Sequence, residues 1–219
     1  MRIGIIGAGR IGGNVARQLA RAGHEPKLSF ARDQDKLRSL AVELGEGVEV
    51  GTPREAAEFG DVVVVSVPWD ALPEALEQTG SLEGRIVVDT TNQFGSGPKP
   101  AEGQTAAAFN AARMPGARYT KSFNSLTSAF QEETADRQGD ERIVQWVCGD
   151  DEDAKRIVAG LIEDAGYVPV DLGGTAGCAV MEAPRRQGAV YGDEYRASDA
   201  QAVVDAVRDG RPIPPTPSY

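Results

Sequence analysis

Histidine occurs once and cysteine twice in this chain of 219 residues. So sparse a set excludes a histidine metal cluster, and no metal site is expected. Cys148 and Cys178 have neither metal-type spacing nor the second pair that a disulfide framework needs, so two reduced thiols are expected. The lone His24 follows Gly23 at the expected end of a helix, where it reads as a terminus residue rather than a catalyst. Long apolar runs are also missing. The first, Ile3 to Ile6, stops at glycine and makes no basic-then-apolar leader, so a cytoplasmic protein without a membrane partner is expected. Positive charge is short as well, with 23 Lys+Arg against 33 Asp+Glu and a formal net charge of −10 at pH 7. Nucleic acids and anionic membranes need clustered positive charge, so neither is an expected partner. Any bound anion must be held locally.

What is present is an alternation of short β-branched runs with longer helix-compatible stretches, the mark of parallel β-α units. Strands are predicted at Arg2–Ile6, Pro26–Phe30, Val48–Gly51, Asp61–Val65, Arg85–Asp89, Arg118–Lys121, Arg142–Cys148 and Tyr167–Val170. Helices are predicted at Ile11–Ala22, Asp33–Leu44, Pro53–Phe59, Leu72–Gln78, Ala106–Arg113, Glu152–Ala165 and Ala200–Val207. "DVVVVSVP" is apolar at consecutive positions, as a strand buried on both faces must be, and Pro68 then forces the chain out of the sheet. The expected fold is α/β: a Rossmann doubly wound, mainly parallel sheet with a small C-terminal extension. Residues 1–172 would form the nucleotide-binding domain, and residues 173–219 would cover its cleft or a dimer partner. "QFGSGPKPAEG", Gln93 to Gly103, reads as an exposed loop suited to a lid or rim.

The chemistry starts at Gly7-Ala8-Gly9-Arg10-Ile11-Gly12, which follows a strand directly and opens a helix with Ile11, Val15 and Leu19 on one face. In that context the first glycine permits a tight turn, the second admits a pyrophosphate and the third lets helix pack on strand. Gly7, Gly9, Arg10, Ile11 and Gly12 are therefore candidate dinucleotide ligands, the anion resting on backbone N–H groups. NAD-type sites end the next strand with an acid for the ribose 2′-hydroxyl. Here Leu28-Ser29-Phe30-Ala31-Arg32 stands instead. A hydroxyl and a planar guanidinium suit a 2′-phosphate, so Ser29 and Arg32 point to NADP(H).

In an open parallel sheet the ligand lies beyond the carboxyl ends of the strands. Three strand-end loops are distinctive: Ser66-Val67-Pro68-Trp69, Asp89-Thr90-Thr91-Asn92 and Lys121-Ser122-Phe123-Asn124. Ser66, Pro68, Trp69, Thr91 and Asn92 are candidates for the ribose and nicotinamide side. Lys121 with Asn124 is the best local pair for polarising or protonating an acceptor; the alternative is a surface ion pair and a helix cap. Arg185, Arg186, Tyr191 and Tyr195 would fold over the cleft or cover a dimer partner, and Glu182 has no assignable role.

"MRIGIIGAGRIGG", "LSFAR", "VVVVSVPWDALPEAL", "VVDTTNQFG" and "YTKSFNSL" together resemble the NADPH-dependent reductases of deazaflavin coenzyme F-420. More broadly they resemble the F-420-dependent NADP oxidoreductase family, with its pyrroline-carboxylate-reductase-like relatives and the cytoplasmic domains of membrane ferrireductases. The resemblance spans about Met1 to Leu172. It implies a Rossmann domain binding NADP, a smaller C-terminal part, a homodimer, and hydride transfer between nicotinamide and a coenzyme F-420 or flavin ring. It matches Gly7, Gly9 and Gly12 to the pyrophosphate loop, Ser29 and Arg32 to the 2′-phosphate site, and Ser66, Pro68 and Trp69 to the nicotinamide-side loop. After "DLGG" the chain departs from that pattern with "TAGCAVMEAPRRQGAVYGDEYR".

The sequence thus predicts an NADP-dependent oxidoreductase with a small-molecule hydride acceptor. Two other readings stay open: an NADPH-dependent reductase of a small imine or carbonyl, and a non-catalytic NADP(H)-sensing module.

Overall fold

The computed structural model describes residues 1–30, 33–45 and 47–219. In chain order its elements are β1 (Arg2–Ile6), α1 (Arg10–Arg21), β2 (Glu25–Ser29), α2 (Gln34–Leu44), β3 (Glu49–Val50), α3 (Pro53–Phe59), β4 (Val62–Val65) and α4 (Leu72–Thr79). The second half adds β5 (Ile86–Asp89), α5 (Ala106–Ala111), β6 (Arg118–Lys121), α6 (Ser128–Thr134), β7 (Val144–Gly149), α7 (Glu152–Asp164), β8 (Val168–Asp171) and α8 (Ala197–Arg208). One sheet orders them β3-β2-β1-β4-β5-β6-β7-β8. All pairs are parallel except β6 with β7, which run antiparallel through Lys121 and Cys148. Strand order reverses at β1, between β2 and β4, and that reversal opens the crevice where ligands bind in doubly wound sheets.

Burial explains the apolar runs. Val62 and Val64 pack into the core on one face of the sheet with Ile3, Ile5 and Leu19, while Val63 and Val65 pack into the other with Val87 and Leu72. Each such side chain contributes about 1.5–3 kcal/mol by leaving water, which a half-exposed strand would forgo. The predicted elements recur with ends shifted by a few residues. The helix α6 was not anticipated, because "SAFQEET" is short and has no clear apolar period; its start was nonetheless marked by Thr127, whose hydroxyl accepts from the Phe130 N–H.

Residues beyond β8 do not stand apart from this core. Met181, Val190, Tyr195, Ala200 and Val203 are buried in the same cluster as Val63 and Trp146. The expectation of two free thiols is corrected: Cys148 on β7 and Cys178 form a disulfide with Cα atoms 5.8 Å apart, fastening the C-terminal segment to the sheet. Glu182 acquires a role there too. Its carboxylate accepts from the Ala106 and Ala107 N–H groups at 2.9 and 2.7 Å, satisfying the start of α5. Among the described residues, no helix is long and apolar enough to cross a membrane.

Candidate active site

The turn from β1 into α1 fixes the site. Gly7 has φ +97°, and a Cβ there would lie 2.3 Å from the Ser66 carbonyl oxygen; one on Gly12 would lie 2.0 Å from that of Gly7. Both positions demand glycine so that strand, helix and β4 can close together. Gly9 differs, since a Cβ on it would meet nothing within 4 Å. The space over Gly9 is open, and a side chain would fill it. α1 also begins with no side-chain cap and no acidic residue in its first turn. Its leading N–H groups and the positive end of its dipole therefore face outward, unneutralised by the chain. The residues present fit a dinucleotide pyrophosphate.

From Gly9 a cleft of about 440 Å³ runs across the ends of β4, β5 and β6. Its wall includes Arg10, Ile11, Ser66, Pro68, Trp69, Thr91, Asn92 and Asn124, so the structure brings most of the sequence candidates together. Thr90 donates to the Ser66 hydroxyl at 2.9 Å, leaving the Ser66 proton for a ligand. Phe123, at φ +56°, turns the chain beyond β6 so that Asn124 and Leu126 line the wall. The sequence reading missed Phe94, Leu126, Thr127 and Ser128 as wall residues, and placed Tyr191 only generally. An aromatic residue inside the glycine-rich "QFGSG" was the available signal for Phe94.

Several candidates are placed differently from expectation. Lys121 is fully buried beneath the wall, its ammonium donating to the Thr91 carbonyl at 2.6 Å and to Asp89 at 3.4 Å. Asp89 also accepts from Tyr119 at 2.6 Å, from Asn110 at 2.8 Å and from the Thr91 N–H at 2.7 Å. Burial pushes the Asp89 carboxyl up, but the Lys121 charge and these hydrogen bonds outweigh it and hold the group below its ordinary range. The same burial, and the Asp89 charge after it, push the Tyr119 phenol far up. Lys121 thus braces the cleft floor instead of meeting an acceptor. Asn124 reaches the wall, yet its amide donates to Asn92 at 3.1 Å and to the Met181 carbonyl at 2.8 Å, so its protons are committed to the scaffold.

Ser29 is fully buried and donates to the Ile5 carbonyl at 2.9 Å, which withdraws its proton from any phosphate. Arg32 lies outside the described residues. Trp69 is 2% exposed; Phe109 stacks on it with centroids 5.9 Å apart, and its indole N–H donates to the Pro98 carbonyl. It anchors the Gln93–Gly103 loop rather than offering a free face. Arg185 pairs with Asp193, and Arg186 donates to the Glu182, Pro184 and Ala179 carbonyls, so both arginines brace their own segment. Tyr195 packs edge-on against Trp146, away from the cleft. Beside the glycine loop a hollow of about 880 Å³ gathers Arg10, Arg17, Arg21 and Lys36 with Glu43 and Glu132. Arg17 pairs with Glu43, and Arg21 and Lys36 make looser, exposed pairs with Asp136 at 4.0 Å and Asp33 at 3.9 Å.

Comparison with known proteins agrees with this geometry. Residues 2–93 match the family model for NADP oxidoreductases, coenzyme F-420-dependent. Over 182 residues, 83% of this chain, it is 25% identical to metalloreductase STEAP3 of Rattus norvegicus, of whose length it spans only 36%. A hypothetical protein, SMa0349 from Sinorhizobium meliloti, superposes with a TM-score of 0.77 at 28% identity, over 90% of this chain and 95% of its own. A putative F-420-dependent NADP reductase from Arthrobacter sp. FB24 shares the fold with a TM-score of 0.66 at 24% identity, over 79% of this chain and 85% of its own. So does a reductive aminase from Aspergillus terreus, solved with NADPH4, at a TM-score of 0.60 and 24% identity over 81% of this chain and 56% of its own. Residues 2–93, which carry the glycine loop, β4 and β5, are thus similar to the coenzyme F-420-dependent NADP oxidoreductases, within a chain of Rossmann-like α/β fold.

Proposed function

We propose that this chain is an NADP-dependent oxidoreductase that passes a hydride between NADPH and a deazaflavin or flavin-like acceptor. The observation that carries the reading is the composition of the cleft wall. Among the described residues lining it there is no carboxylate, histidine, lysine or cysteine; apart from Arg10 at the glycine-loop end and the amides of Asn92 and Asn124, the wall is aliphatic, aromatic and hydroxylic. A conjugated ring delocalises the incoming charge, so its protein has mainly to orient the two rings and exclude water. This wall suits that task.

The chain's own groups divide the work. The uncapped N–H groups at the start of α1 hold the pyrophosphate, and Arg10 adds charge beside them. Arg10 and Lys36 supply cations for the further phosphate that distinguishes NADP from NAD, and Arg32, outside the described residues, is the sequence's candidate for the same phosphate. Ser66 and Thr90 face the ribose side, and Pro68 and Ile11 shape the nicotinamide wall. NADPH, when bound, supplies a hydride to the acceptor ring, the nicotinamide being oxidised, the acceptor reduced, and a proton from solvent completing the product.

A second reading, reduction of a small imine or carbonyl, is favoured by one observation. Tyr191 brings a phenol to the wall, and burial raises its pKa, so it stays protonated and able to donate. The deciding assay follows NADPH absorbance with purified protein and oxidised F-420, then FMN, then a cyclic imine, alongside Arg32→Ala. Turnover with F-420 or FMN that weakens in Arg32→Ala supports the first reading. Turnover with the imine alone supports the second. Tight NADPH binding with none of them overturns both and leaves the NADP(H)-sensing module.

A further inference from the structure

We propose that Phe94 and Tyr191 form an aromatic gate that selects flat, conjugated hydride acceptors over small saturated-ring imines. The inference deepens the first reading above and rests on an acceptor entering this cleft. Four aromatic rings line the wall: Trp69, Phe94, Phe123 and Tyr191. Two are already committed. Trp69 is stacked by Phe109, and Phe123 is 1% exposed with its ring set edge-on to Tyr167. Phe94 is 55% exposed, and Tyr191 retains part of its surface. Their centroids are 6.2 Å apart with planes tilted by 58°.

The two rings come from separate segments but share one foundation. The Phe94 N–H donates to the Asn92 carbonyl at 2.8 Å, and Asn92 is joined to Asn124 by reciprocal amide bonds of 2.7 and 3.1 Å. On the other side, the Gly192 N–H donates to the Ser125 carbonyl at 2.7 Å, placing Tyr191 immediately before that anchor. Both ring-bearing residues precede a glycine with positive φ, +80° at Gly95 and +81° at Gly192, so the backbones are fixed in turns while the rings project over the cleft. Such a pair offers stacking faces, a favourable contact for a planar π-system and of little use to a puckered aliphatic ring. The wall has no carboxylate to attract an iminium charge, so nothing else on it compensates such a substrate.

The test separates the gate from the reaction. Binding of FMN to the NADP+-saturated protein is read by quenching of flavin fluorescence in wild type, Phe94→Ala, Tyr191→Ala, Tyr191→Phe and the double alanine variant. NADPH affinity and melting temperature are measured on each. The expected result is a rise of about tenfold in the FMN dissociation constant for each single alanine variant, with Tyr191→Phe like wild type and NADPH affinity unchanged. Steady-state KM for FMN should rise in parallel. An unchanged FMN constant in the folded double variant, or no FMN binding by wild type, overturns the gate. So does a Tyr191→Phe variant that keeps its KM but loses kcat, since the phenol would then be acting as a proton donor. If wild type binds FMN through these rings but never reduces it, the gate stands and the hydride-transfer reading falls. If wild type and the double variant reduce FMN with one KM, the reading stands and the gate falls.

Discussion

The starts of α1 and α7 face the same problem and solve it in opposite ways. Every α-helix begins with N–H groups that have no partner inside the helix. At α7 the chain supplies what is missing: the Asp151 carboxylate accepts from the Ala154 N–H at 2.9 Å, and Glu152 and Asp153 add negative charge to the first turn. At α1 the cap residue is Gly9, with no side-chain oxygen, no acid in the first turn, and open space where a side chain would stand. The contrast extends to the strands nearby. Below the cleft, Asp89, Lys121, Tyr119, Asn110 and Thr91 bond to one another out of water. A polar group that is fully partnered by its own chain is scaffold; a set of donors left unpartnered at a surface is available to a ligand. That distinction separates Lys121 from Gly9 more securely than residue type does.

The largest expected effect sharpens the scaffold side. Lys121→Met removes one member of a fully buried ion pair and strands Asp89, which costs about 3–5 kcal/mol of stability. The expected outcome in urea denaturation is a midpoint lowered without a change of slope, while the folded variant binds NADPH as wild type does. A Lys121→Met protein that is as stable as wild type but inactive would return the lysine to the chemistry.

These cases also show how far the residues alone could be read. The sheet was legible because its strands are buried on both faces and so are apolar throughout, as at Val62 to Val65. The glycine loop was legible because the steric demands of Gly7 and Gly12 are local. Lys121 was not, because its partner lies one strand away, and a strand-end lysine looks the same in sequence whether it points to the cleft or under it. Ser29 misled for a similar reason: alternation along β2 does not reveal that its hydroxyl turns inward to Ile5. The disulfide was hidden by a separation of 30 residues, and Phe94 and Tyr191 by lying in segments with no period to place them.

The next prediction attempts to turn α1 into α7. Gly9→Asp adds a capping carboxylate where there is room for one, so stability should hold or rise by a few tenths of a kcal/mol. The same carboxylate would face the phosphates at short range, where two like charges repel by about 4 kcal/mol at an effective dielectric of 20. NADPH affinity should therefore fall by about a hundredfold or more. Isothermal titration beside a thermal melt checks both halves. A variant that binds NADPH normally would show that the pyrophosphate does not use this turn.

The smallest effect comes from undoing α7. Asp151→Ala removes its cap, costing about 1 kcal/mol, and the Arg118 ion pair adds little to that because both side chains are a third exposed. The loss should depend on pH in a defined sense. The Arg118 hydrogen bond first, and the Ala154 N–H after it, hold the Asp151 carboxyl well below its ordinary value of 3.8. A group whose pKa is lowered on folding contributes its full stabilisation above the unfolded value and loses it as pH falls toward the folded one. The gap between wild type and Asp151→Ala should accordingly be constant near neutrality and shrink below about pH 4. NADPH affinity at neutral pH should not move, because the α7 terminus is closed by its own chain. A gap that stayed constant down to acid pH would mean that the cap works through a neutral hydrogen bond. α7 would then be shut by geometry, and the charge in its first turn would no longer explain why one helix start is open to an anion and the other is not.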